Sequence, residues 1–274
     1  MVMDAASGAV LAQAGYYKDG TTRRMVSDES SPFTWHFMGA STMKPLVVAG
    51  ALQERRVSDS ELFDTGNGTL TFNGQTYREW KEGGLGKVTL TDLIVKSSNL
   101  GVILVAQRLG AERLAAFLNR LGYQVAPNAP LADLSYGNYS GVSITAHQLA
   151  YAYAALVNGG REPRTGEVVV RSDVSDFIRK TLIRAVEEGT GTEARCKKFV
   201  AGGKTGTSIR EVDGARTGTA YFVGFAPADS PRIVISVIVD DMGSEVNGNR
   251  HAAPLFREIV EGGLPLLEKA APAK

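Results

Sequence analysis

Three short groups of residues could share one piece of chemistry. The first is Ser41-Thr42-Met43-Lys44. Positions i and i+3 of a helix lie on one face, so a serine hydroxyl and a lysine amine at that spacing can meet. A serine hydroxyl is a weak nucleophile at neutral pH and needs a base beside it. Lysine serves as that base only where burial or a neighbouring cation disfavours its ammonium form. The second group is Ser97-Ser98-Asn99, residue types that prefer caps and turns to helix interiors. Ser97 could relay a proton between Lys44 and a leaving amine, and Asn99 could hydrogen-bond a substrate amide. The third group is Lys204-Thr205-Gly206-Thr207, introduced by Gly202-Gly203. On a strand edge it could pair with an extended peptide, with Gly206 leaving room for close backbone approach. Lys204 and the threonine hydroxyls could hold a substrate carboxylate. Each group alone has a plainer reading: chance recurrence of the serine–lysine spacing, helix capping, or an exposed polar edge strand. Together, in order and in matching contexts, they point to a nucleophilic serine.

The elements that must carry these groups can be read from periodicity. Over 41–56 the apolar residues Met43, Leu46, Val47, Ala51 and Leu52 fall at helical spacing. Pro45 is compatible only with the first turn of that helix, which places Ser41 at its N-terminus, where the helix potential favours a developing oxyanion. Residues 89–109 read as helix with a break at 97–99, and 111–121 as an amphipathic helix ended by Gly122. Thr145 and Gln148 form a capping-box pattern ahead of the run 149–157, and 173–188 makes a further helix. The segments 204–210, 219–226 and 233–239 read as an antiparallel meander, and 254–267 as a closing helix. Residues 2–14 suggest a strand pair turning at 5–8, residues 18–34 a loop, and 65–77 a short hairpin. The expectation is an α/β (α+β) domain over 1–270. Its central antiparallel sheet comes from about 1–40 and 190–270, with helices on its faces and a mostly helical insertion over about 41–189.

Composition excludes several classes. The chain has 274 residues, 43% of them hydrophobic and 22% charged, which suits an ordinary globular domain with a substantial core. A formal charge of +1, with no basic face, argues against a nucleic-acid partner. No stretch approaches the ~20 apolar residues of a membrane span. The start, Val2-Met3-Asp4, carries no signal-peptide pattern: either export signals were never there, or the chain is a domain of a longer protein. The single cysteine, Cys196, has no base beside it and reads as a bystander.

The three groups together are the signature of penicillin-recognising serine enzymes. The chain resembles the transpeptidase domain of class B penicillin-binding proteins over nearly its whole length. The resemblance rests on the opening strand pair 2–12, Ser41 to Pro45, Lys96 to Gly101, Gln148 to Ala150, Gly203 to Thr207 and Phe222 to Pro227. Lys96-Ser97-Ser98-Asn99 and Ala252 to Phe256 look closest to the division-specific, septal branch, the penicillin-binding protein 3-like members. The resemblance implies a β-lactamase/transpeptidase-like fold and a Ser41 acyl-enzyme formed with D-Ala-D-Ala stem peptides of peptidoglycan. It implies inhibition by β-lactams, no metal or organic cofactor, and partners in the division complex. It also implies a site at the periplasmic face of the bacterial inner membrane, with an anchor and N-terminal domain outside this chain. On the resemblance, Ser41, Lys44, Ser97 and Asn99 would be catalytic, and Lys204, Thr205, Gly206 and Thr207 substrate-binding. The oxyanion would sit between the backbone N–H groups of Ser41 and Thr207.

Several departures stand out. Met38-Gly39-Ala40 replaces the family's Glu-Pro-Gly before the nucleophile, so an altered entry turn is expected. The segment 26–37, with Trp35 and His36, is longer than usual; the segment 135–141 is less compact, and His251 is unexpected. Both histidines read as surface or packing residues. Two rival functions share the motifs. A serine β-lactamase is similar in Tyr136-Gly137-Asn138 to class D, but class D has valine where Asn99 stands. No Glu-x-x-Leu-Asn follows the second group to activate a deacylating water, as class A would require. A non-catalytic penicillin sensor is the third possibility, distinguished by the transmembrane helices that normally flank it.

Overall fold

The computed structural model describes residues 1–19, 22–26, 34–125, 128–138, 142–212 and 214–270. The chain opens with the hairpin β1 (Val2–Asp4) and β2 (Val10–Ala12), the expected strand pair. A second hairpin, β3 (Gly15–Asp19) with β4 (Thr22–Val26), stands where the sequence reads as loop; its backbone pairs from Gly15↔Val26 to Asp19↔Thr22. Its residues are mostly polar, and it pairs outside the main sheet. Residues 27–33 lie outside the described residues.

A short strand β5 (Phe37–Met38) leads into a 3-10 turn, Ala40–Met43, and helix α1 (Lys44–Gln53), with Pro45 in its first turn as expected. Strand β6 (Leu62–Asp64), the hairpin β7 (Thr69–Phe72) and β8 (Gln75–Arg78), and β9 (Lys87–Thr89) follow. The expected broken helix is α2 (Leu90–Val95) and α3 (Asn99–Leu109). Then come α4 (Ala111–Arg120), α5 (Leu131–Tyr136), β10 (Ser143–Ile144), α6 (Ala146–Val157) and α7 (Ser172–Glu187). Thr145 and Gln148 form the anticipated capping box of α6. Helix α5 and β10 were not read from sequence; both are short and lack a full period.

The last third supplies β11 (Gly202–Val212), β12 (Ala215–Ala226) and β13 (Ile233–Val239), then α8 (Gly248–His251) and α9 (Ala253–Ala270). The sheet order is β11-β12-β13-β1-β2, antiparallel, so both chain ends build one sheet and β11 is its edge. Both faces are covered, which explains the nearly continuous apolar runs in β12 and β13, the latter interrupted by the buried Ser236. Val223, Phe225 and Val234 face the helical block, joining Met3, Leu46 and Leu149. Phe222, Ile233 and Ile235 face α9, joining Phe256, Val260 and Leu264. No helix among the described residues is long and apolar enough to cross a membrane.

Phe256 anchors α9: it is fully buried, with its ring centroid 4.7 Å from that of Phe222. We expect Phe256→Ala to cost about 3–5 kcal/mol. The check is a lower urea midpoint with an unchanged denaturant slope.

Candidate active site

Ser41 sits in the 3-10 turn ahead of α1, half-exposed while its neighbours Ala40, Thr42 and Met43 are buried. The turn is held from outside. Ala40 adopts φ +47°, uncommon for a residue with a Cβ, and its N–H donates to the Gly137 carbonyl at 2.9 Å. Gly137 ends α5 at φ +81°, and a Cβ there would run into the Ala40 backbone. The entry turn at Met38-Gly39-Ala40 thus ends in a left-handed residue clamped by a close-approaching glycine. From behind, the buried Tyr153 hydroxyl donates to the Thr42 carbonyl at 2.9 Å.

Lys44, three residues on, is fully buried. Its Nζ donates to the Ser97 carbonyl at 2.6 Å and to Asn99 Oδ1 at 2.7 Å, and lies 3.2 Å from Ser97 Oγ. Burial lowers its pKa to about 7, against the opposing pull of the Glu79 carboxylate. A neutral lysine has two N–H donors and one lone pair. The two short contacts use the donors and leave the lone pair to accept a proton.

Ser97 is the hinge of the break between α2 and α3, at φ +57°. That conformation ends α2 and turns the Ser97 hydroxyl toward both lysines. Ser98 turns the other way and is the N-cap of α3, accepting from the Gly101 N–H at 2.9 Å. Its own proton goes to Glu79 Oε2 at 2.7 Å. Glu79 also accepts from the Asn99 N–H at 2.7 Å and the Leu100 N–H at 3.2 Å, so one buried carboxylate closes the N-terminus of α3. Sequence reading missed Glu79. It stands on the connection after β8, nineteen residues before Ser98, and no local pattern ties the two.

Alternation along β11 divides the third group. Lys204 is opposite Val223, on the face toward the helical block. It is fully buried and donates to Ser97 Oγ at 3.0 Å and to the Thr205 carbonyl at 3.0 Å. Burial first, and the neighbouring Lys44 second, push its ammonium well below the usual lysine range. Thr205 and Thr207 face the other way: the Thr205 hydroxyl donates to Thr190 Oγ1 at 3.0 Å, and Thr207 Oγ1 accepts from the Gly248 N–H at 3.1 Å. The space above Gly206 belongs to Thr42 and Tyr221, at 3.1 and 3.2 Å from a built Cβ. The glycine thus lets the serine-bearing turn lie against β11, a use the sequence reading had given to substrate backbone.

These groups meet in a cleft of about 540 Å³ lined by Ser41, Ser97, Asn99, Thr205, Gly206 and Thr207. Lys44 and Lys204 lie beneath it. Trp80, hydrogen-bonded to the Lys96 carbonyl at 2.9 Å, and Arg250 of α8 form further walls. No carboxylate or imidazole is among the described residues lining the cleft. Of the segment 135–141, Tyr136, Gly137 and Asn138 line the cleft, while Cys196, His36 and His251 are not among its lining residues. Cys196 is half-buried, and burial, then Glu261, raises its thiol to about 11, which disfavours the thiolate. His36 meets Ser143 Oγ at 3.0 Å, and His251 accepts the Asn247 N–H at 3.0 Å beside the α8 cap. Of the segment 135–141, residues 139–141 lie outside the described residues.

The family model for the penicillin binding protein transpeptidase domain matches residues 1–261. The chain belongs to this family. Stage V sporulation protein D of Bacillus subtilis is 30% identical over 83% of this chain and 42% of its own length. The probable peptidoglycan D,D-transpeptidase PenA of Neisseria gonorrhoeae is 27% identical over 97% of this chain and 52% of its own. The chain therefore spans about half the length of the curated relatives it matches. The transpeptidase domain of Burkholderia pseudomallei penicillin-binding protein 3, solved without ligand, superposes with a TM-score of 0.83 at 27% identity, covering 100% of this chain and 89% of that one. The fold is that of a class B penicillin-binding transpeptidase domain.

Two outcomes follow from the surroundings of Lys44. Its neutral fraction grows as pH rises through about 7. The rate of Ser41 acylation by a β-lactam should therefore climb about tenfold per pH unit below that point and level above it. The Glu79 charge raises the Lys44 pKa, so Glu79→Gln should move the rising limb to lower pH in stopped-flow acylation. A limb that stays in place would show that Lys44 does not feel this carboxylate. Separately, Glu79→Ala strands the Ser98, Asn99 and Leu100 donors, and we expect a loss of about 2–4 kcal/mol in urea unfolding.

Proposed function

We propose that this chain is the catalytic domain of a peptidoglycan D,D-transpeptidase that works through a Ser41 acyl-enzyme and is acylated by β-lactams. The observation that carries the reading is the Lys44 amine, buried and donating to Ser97 and Asn99 beneath the cleft that Ser41 lines. Ser41 Oγ attacks the carbonyl of the penultimate D-Ala, and its proton passes to the Lys44 lone pair. The oxyanion forms between the Ser41 and Thr207 N–H groups. Collapse breaks the C–N bond, and Ser97, in contact with both lysines, passes a proton to the leaving D-Ala nitrogen. The Thr205 and Thr207 hydroxyls hold the terminal carboxylate, with Lys204 beneath them donating to Ser97. Asn99 orients the substrate amide. The acyl group then moves to an amine of a second strand.

Two observations favour transfer over hydrolysis. The cleft wall lacks a carboxylate or imidazole among its described residues, so water on the ester has no dedicated base there in addition to Lys44. The one nearby buried carboxylate, Glu79, is committed to three donors at the α3 N-terminus. The same reading assigns the domain to the periplasmic face of the bacterial inner membrane, beside division-complex proteins, as the family resemblance implies.

Intact mass spectrometry after benzylpenicillin treatment tests this. We expect one covalent adduct that persists for hours, and at least a ~10³-fold slower reaction in Ser41→Ala. An adduct on Ser41→Ala would displace the nucleophile. Release within seconds would make the chain a β-lactamase.

A further inference from the structure

A second cavity, of about 590 Å³, lies past the catalytic cleft, where β11 runs on toward its turn with β12. One wall is the segment Thr34 to Met38, which leads into the Ser41 turn; the other is Ser208, Arg210, Tyr221 and Asp240. Ser208 lines both spaces, so the cavity continues the cleft along the strand. Trp35 is 40% exposed, and the Phe37 ring stands edge-on to Tyr221 with centroids 6.4 Å apart. The Tyr221 hydroxyl meets Ser208 Oγ at 3.1 Å. Arg210 and Asp240 form a two-pronged ion pair, 2.8 Å on each prong, and Arg210 also donates to Thr219 Oγ1 at 2.9 Å.

This pair cancels its own charge, and no other carboxylate, lysine or arginine is among the described lining residues. A charged peptide side chain would enter without an unpaired counter-ion. A neutral ring bearing hydroxyls meets better partners. Its C–H face suits an exposed aromatic surface, and its hydroxyls suit polar groups already fixed in place. Of the five guanidinium N–H donors, the described contacts of Arg210 use three, and a carboxylate oxygen accepts more than one bond.

The transpeptidase reading, on which this argument rests, sets what passes the cavity. Thr205 and Thr207 hold the C-terminal carboxylate of the donor stem, and the Thr207 N–H holds the oxyanion. The stem therefore runs antiparallel along the β11 edge, with its sugar-linked end toward Ile209 and Arg210. An extended stem and the strand rise alike, so the roughly three residues between the reacting D-Ala and the sugar span about 10 Å, the reach from Thr207 to Arg210. We propose that the cavity binds the glycan of the donor strand. An N-acetylated hexose ring lies on Trp35, and its hydroxyl and acetamido groups meet Arg210, Asp240 and the Ser208–Tyr221 pair. Binding there acts on a part of the substrate remote from the bond that breaks.

The test is saturation-transfer NMR of the protein with the peptide-free disaccharide N-acetylglucosaminyl-N-acetylmuramic acid. We expect saturable binding that persists after benzylpenicillin has acylated Ser41. Trp35→Ala should weaken it about tenfold while leaving the rate of benzylpenicillin acylation unchanged. Arg210→Lys, which keeps the charge opposite Asp240 and loses the planar fork, should weaken it as well. No binding to wild type, equal binding in both variants, or loss of binding on acylation would each overturn the proposal. Displacement of the disaccharide by the sugar-free stem tripeptide would assign the cavity to peptide and overturn it too. Failure of the transpeptidase reading is read separately, as the absence of a benzylpenicillin adduct on wild type.

Discussion

Lys44 and Lys204 are withdrawn from solvent completely, and both amines point at the hydroxyl of Ser97. Moving an ammonium out of water is strongly unfavourable, and two such groups sharing one oxygen repel as well. Among the described contacts, the partners at hydrogen-bond distance are neutral: the Ser97 hydroxyl and carbonyl, the Asn99 amide and the Thr205 carbonyl. Such a cluster cannot hold two full charges comfortably. Burial lowers the Lys44 pKa to about 7, so this amine can shed its proton near neutral pH, as the proposed mechanism requires of a base for Ser41. The surrounding structure amounts to the conditions under which this arrangement can persist.

Each element contributes one condition. Helix α1 fixes Lys44 three residues after the half-exposed Ser41. The break between α2 and α3 presents Ser97 and Asn99, and it stays in place because Glu79 ties three donors at the start of α3. Strand β11 brings Lys204 in from the sheet side, while the missing side chain at Gly206 lets the serine-bearing turn approach. Gly137 closes the turn from the α5 side. The site thus joins segments from the start, middle and end of the chain. The one sheet built from both chain ends makes that meeting possible.

What could be read from sequence follows the same logic. Ser41, Lys44, Ser97, Asn99 and the β11 group were legible because helix spacing, a cap-forming triplet and strand alternation are local signals. The helices with clear periodicity and the C-terminal meander were legible for the same reason. Glu79 was not, because its partners are set by tertiary folding and a glutamate on a loop looks like any solvated charge. The β3–β4 hairpin is not legible because its residues are mostly polar and do not alternate, and α5 because its 6 residues are too few to show a helical period. The division of labour in Lys204-Thr205-Gly206-Thr207 needed the register with β12. Sequence assigned Lys204 to direct carboxylate contact, whereas the structure buries it under Ser97 and leaves the threonines on the other face.

The choice between transfer and hydrolysis turns on what the cleft leaves out as much as on what it holds. An ester on Ser41 is equally open to water and to an amine, and water is at far higher concentration. On the proposed mechanism, favouring the amine requires that water lack a dedicated base beyond Lys44 and that the amine be held in place. The first condition matches the cleft wall, which offers hydroxyls, amides and one guanidinium among its described residues but no carboxylate. Lys44 is indifferent to which nucleophile arrives. Selectivity on this argument resides in the walls around the ester, and the buried lysine pair supplies only reactivity.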